Sequence, residues 1–67
     1  MSAAELDLHI ETESERIERW RAEELERAGY SHGDAIELAG RPYVDLHLAI
    51  ELIDRGCSPD TAVRILL

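Results

Sequence analysis

RAGYSHGDAIELA (residues 27–39) and DRGCSPDTAVRIL (residues 54–66) run in one order: a Gly, one variable residue, a Ser, then a short apolar-rich segment. Gly can adopt the left-handed conformation that closes a helix, and Ser placed two residues later can accept from the amides that open the next one. Each stretch therefore reads as a joint between two helices. The joints decide the fold class, because nothing in the chain beyond its first eleven residues alternates with the period of two that a strand needs.

Working outward from the first joint, residues 12–28 carry Ile17, Trp20, Leu25 and Ala28 within one helical stripe, with Glu and Arg elsewhere. Glu15 with Arg19 and Glu23 with Arg27 stand four apart in the favourable order, so both are expected to pair. Gly29 ends this helix. Ser31, with Asp34 three residues on, caps a second that runs to Ala39 and stops at Gly40. Pro42 bars helical continuation through Arg41. Asp45 caps a third helix over 46–55, whose polar residues reduce to His47, Glu51 and Asp54, with His47 expected to pair with Glu51. A helix apolar on most of its circumference is expected in the middle of a bundle. Gly56 closes it, Ser58 caps the last, Pro59 takes the first helical position, and the helix runs to the chain end.

The two joints are related by a shift of 27 residues, which aligns Ala22 with Ala49, Leu25 with Leu52, Gly29 with Gly56, Ser31 with Ser58 and Ala35 with Ala62. Two accounts are open: a duplicated helical hairpin, or the grammar by which any helix ends and the next begins. Both give an all-α bundle of four helices, two hairpins packed through Leu25, Ile36, Leu38, Leu52, Ile53, Val63 and Ile65. Residues 12–67 then form one helical domain and residues 1–11 an N-terminal arm. Within the arm, ELDLHIE (5–11) alternates like a strand, yet a disordered segment and an extension of the first helix are open as well.

Composition narrows function. The 67 residues carry fifteen carboxylates against seven Arg and no Lys, for a net charge of −8. Such a surface repels phosphate backbones and anionic membranes, so neither nucleic acid nor membrane is expected as a partner. A helix–turn–helix reading fails on the same ground, since the second helix offers His32, Asp34 and Glu37 and the fourth only Arg64, where base and phosphate contacts need several cations. A lone cysteine and an acidic start, MSAAELDLHIETESE, fit a cytoplasmic chain.

Chemistry finds little purchase. His9, His32, His47 and Cys57 show no ligand spacing, and Asp45 and His47, two apart, point different ways on a helix. No cofactor, metal or catalytic group is expected. Cys57, between a Gly and a capping Ser, reads as a small apolar residue on the core in the place that Tyr30 holds in the other joint. Trp20 reads as core first and as an interface anchor second. The Leu-rich terminus, with Leu66 and Leu67, needs cover from this chain or another.

ERAGYSHGDAIELAGRPYVDLHLAIELI (26–53) resembles the ubiquitin-associated type of three-helix domain. Gly29 and Tyr30 match that family's Gly-aromatic turn, Ala35 and Ile36 its second helix, and Val44, Asp45, Leu46, Ala49 and Leu52 its third. The resemblance implies a shallow apolar patch that grips a partner protein, at Gly29, Tyr30, Leu52 and Ile53. The chain departs from the family in Ala28 before the turn, where Met is usual, in a longer first helix, and in an appended fourth. Residues 20–67 also resemble small helical proteins of actinobacteria. Together these readings point to a non-enzymatic protein–protein interaction module, self-associating through Trp20 and the apolar C-terminus. The alternative is an acidic regulator that mimics nucleic acid on a basic site of a partner enzyme, drawing on the nine carboxylates of residues 1–26.

Overall fold

A computed structural model describes residues 10–67. They form four helices and no strand: α1 (Glu13–Ala28), α2 (His32–Ala39), α3 (Leu46–Asp54) and α4 (Pro59–Leu66). α1 packs chiefly on α2 and also on α3, while α4 closes on α3 and α2. The expected arm lies outside the described residues except for Ile10 and Glu11, which precede the first helix as irregular chain.

Caps set the boundaries. Thr12 opens α1 with a complete capping box: its hydroxyl accepts from the Glu15 amide at 3.1 Å, and its own amide donates to the Glu15 carboxylate at 2.8 Å. Ser31 accepts from the Asp34 amide and Ser58 from the Thr61 amide, while Asp45 accepts from His47 and Leu48. α3 ends one residue earlier than the pattern suggests, with Arg55 as its C-cap.

The 27-residue correspondence is visible in atomic detail. Gly29 donates to Glu26 at 3.0 Å and Tyr30 to Leu25 at 3.1 Å; Gly56 donates to Ile53 and Cys57 to Leu52, both at 2.9 Å. These are two Schellman closures, each with its glycine at positive φ, +128° for Gly29 and +95° for Gly56. The match extends past the caps, because the paired alanines Ala22 and Ala49, and Ala35 and Ala62, all face the core. An L side chain is strained at such φ, so Gly29→Ala and Gly56→Ala are each expected to lower stability by about 1–2 kcal/mol in urea unfolding. Equal losses mark the two joints as equivalent; a cost confined to one would show that only that turn is held under load.

The core is built largely from small residues. Leu25 and Leu38 are its two large fully buried side chains, set among Ala22, Ala35, Ala39, Ala49, Ala62, Val44 and Tyr30. Two residues expected in it lie outside: Ile36 is 50% and Ile65 59% exposed. α3 is likewise not central, since only Ala49 is fully buried on it and Leu48 is 42% exposed. Helices of eight or nine residues span only about 12–14 Å, so they enclose a thin interior, and apolar side chains outnumber the places within it.

Ion pairs also depart from simple i,i+4 expectation. Glu15 serves the Thr12 cap, and Arg19 turns back to Glu11 at 2.9 Å. Arg27 pairs with Glu24 rather than Glu23, and Glu51 takes Arg55 rather than His47. Glu24 and Glu51 each take a guanidinium within one turn, and once the cap holds Glu15, Arg19 reaches back eight residues to Glu11.

Candidate interaction surface

Three apolar features remain on the outside. The first is the outer face of α1. At about 100° per residue, Trp20 lies roughly 140° around the helix from Leu25, so one cannot face the solvent without the other facing in. Leu25 takes the core, leaving Trp20 52% and Ile17 51% exposed. Trp20 is therefore not a core residue. Every residue from 12 to 20 is exposed. α1 spans about 24 Å, roughly twice the length of its neighbours, and beside its N-terminal half lie the end of α2 and the α2–α3 connector. There the Arg21 guanidinium donates to the Val44 carbonyl, and Glu18 sits against Gly40.

The second feature is a shallow groove of about 480 Å³ between α1 and α2. Ala22, Ile36 and Ala39 form its floor, and Glu15, Glu18, Glu23 and Glu26 dominate its rim. His32 meets Glu26 across it at 2.9 Å. Ile36 is thus not a misplaced core residue; it supplies the groove's largest apolar wall.

The third is the C-terminus, where Ile65 is 59% and Leu67 45% exposed while Leu66 packs against the core. The residues matched to a ubiquitin-associated patch are placed differently. A Cβ on Gly29 would touch Ile53 at 3.7 Å, so the turn and the end of α3 do adjoin. Leu52 and Ile53, however, are half-buried against the core, and Tyr30 is 4% exposed. The Tyr30 hydroxyl donates to the Ala49 carbonyl at 2.7 Å, bolting the first joint onto α3. Burial, followed by the neighbouring Cys57 and Asp34 as negative groups, raises the phenol's pKa above its ordinary value. Tyr30 is thereby a structural residue whose side chain is closed to a partner.

Among the described residues no three His, Cys, Asp or Glu side chains converge as metal ligands would, and no helix is long and apolar enough to cross a membrane. Cys57 is partly buried and packs on the core beside α4. The sequence signal for the outer face of α1 was the wide angular spread of its apolar stripe, broader than one neighbouring helix can cover. No protein-family model, curated protein or solved structure matches this chain.

Proposed function

We propose that this chain is a small non-enzymatic interaction module that associates with itself through the outer face of α1. The observation that carries the reading is the pair Ile17 and Trp20, each about half exposed within a stretch, residues 12–20, that is exposed throughout. A large aromatic flanked by Arg and Glu is the composition of an interface anchor with a polar rim. Leu67 and Ile65 at the C-terminus offer a secondary apolar contact.

A second reading, an acidic regulator that holds a basic segment of another protein, draws support from the α1–α2 groove. Its rim carboxylates Glu18 and Glu23 have no ion-pair partner among the described residues, and the chain is strongly acidic.

Sedimentation velocity over a concentration series separates the two. Self-association is expected, with Trp20→Ala weakening it by roughly tenfold or more while leaving helical content unchanged. An apolar self-contact is expected to persist as salt rises, whereas docking of a basic segment is expected to weaken. A strict monomer up to roughly 1 mM overturns the self-associating reading.

A further inference from the structure

The geometry points to a specific partner and register for this face: α1 of a second copy, running antiparallel, with Ile17 of each chain against Trp20 of the other. The inference rests on the self-associating reading above and adds to it the orientation and the charges that select it.

Ile17 and Trp20, three apart, form the seam of a two-helix contact, continued by Glu13 and Glu24 at heptad-like spacing. Arg16 and Glu23 stand seven apart and therefore form one row along the edge of that seam. The row is unused among the described residues. Arg19, Arg27, Arg41 and Arg55 each pair with a carboxylate and Arg21 with a backbone carbonyl, but Arg16 and Glu23 have no ion pair among the described residues. An antiparallel pair that sets Ile17 opposite Trp20 brings Arg16 of each chain beside Glu23 of the other, twice by symmetry. A parallel pair in register does the opposite: Trp20 meets Trp20, and Arg16 approaches Arg21 of the other chain, a like-charge contact. Antiparallel packing also opposes the two helix dipoles, which parallel packing aligns. Glu24 enters the seam already neutralised by its own Arg27, which limits its repulsion of Glu13 in the other copy.

Cysteine pairing reads the register directly. In a Cys57→Ser background, a mixture of Arg16→Cys and Glu23→Cys chains is expected to form a mixed disulfide under mild oxidation, while each alone stays mostly uncrosslinked. In the antiparallel register the 16–16 and 23–23 pairs lie about 8 Å and about 14 Å apart along the axis, beyond disulfide reach. Charge reversal is the second arm: Arg16→Glu and Glu23→Arg are each expected to weaken dimerisation roughly three- to tenfold, and the double variant to restore it. Homodisulfides at 16–16 or 23–23 in place of the mixed one overturn this register in favour of a shifted one. A dimer that Trp20→Ala disrupts but charge reversal leaves untouched overturns the register alone, and a wild type that stays monomeric overturns the reading beneath it.

Discussion

Leu38→Ala is expected to lower stability by about 3 kcal/mol, a third or more of what a chain of this size holds. Truncating a fully buried Leu typically costs about 2–5 kcal/mol, since the lost transfer energy is joined by the cavity left behind. A folded chain of this size holds roughly 3–9 kcal/mol in all. Leu38 has no understudy: among the described residues Leu25 is the one other large side chain fully enclosed, and most of the remaining core is alanine, too small to collapse into the space. α2, with eight residues, is far below the length at which a helix persists alone, so its hold on the bundle runs through Leu38 and its flanking alanines. Ile36→Ala, two residues away and half exposed, is the internal comparison, with an expected cost of less than about 1 kcal/mol. Chemical unfolding followed by circular dichroism measures both. A Leu38→Ala loss no larger than that of Ile36→Ala would mean that the two residues share the interior equally.

That contrast marks where the sequence is legible. Gly29, Ser31, Gly56 and Ser58 announce the helix boundaries because caps are local: the groups that satisfy one another lie within a few residues. Which face of a short helix goes inward is not local. Ala35, Leu38 and Ala39 occupy an arc of about 100°, and Ile36 falls just beyond its edge. Hydrophobicity favours Ile36 for the core; the structure gives the place to alanines, which let α1 and α2 approach closely at Ala22. Trp20 poses the same problem from the other side: the end of α2 reaches past its level, with Gly40 against Glu18, yet Trp20 stands about 140° around α1 from Leu25 and is left outside. The groove between α1 and α2 was hidden for this reason, as it exists only once Ile36 and Ala39 are known to flank Ala22. The ion pairs depart from the i,i+4 rule for a simpler reason. Thr12 claims Glu15, a competition that the Thr-x-x-Glu pattern does spell out, and Arg19 then turns to Glu11.

Two kinds of stability are thus separated along α1. Its C-terminal half is held by Leu25, Ala22 and the Schellman turn, and its N-terminal half, exposed throughout, by the capping box, the Arg19–Glu11 pair and peripheral contacts such as that of Glu18 with Gly40. A helix whose first turns lack tertiary cover frays readily unless something packs on it. A second copy on Ile17 and Trp20 would therefore order the same turns that recognise it, so association and helix stability in this segment are linked.

Tyr30→Ala is expected to cost about 3 kcal/mol, comparable to the loss of Leu38, because it removes a buried ring and the bond that ties the first joint to α3. Tyr30→Phe keeps the ring and isolates the hydroxyl, with an expected cost of about 1 kcal/mol at neutral pH. The two variants also differ from wild type in their response to alkali. The Tyr30 phenol has a raised pKa in the folded chain, whereas the unfolded chain titrates near the ordinary value of about 10. Below that value both states keep the proton and stability is insensitive to it. As pH climbs past about 10 the unfolded chain releases its proton first, so it binds fewer protons than the folded chain and stability falls, until the folded phenol titrates too. The chain has no Lys, so no lysine titration overlaps this window. The stability advantage of wild type over Tyr30→Phe should accordingly narrow above pH 10 in urea unfolding. An advantage that stayed constant through that window would mean that the hydroxyl bonds to Ala49 only weakly, and that the packing of the ring alone fixes the joint.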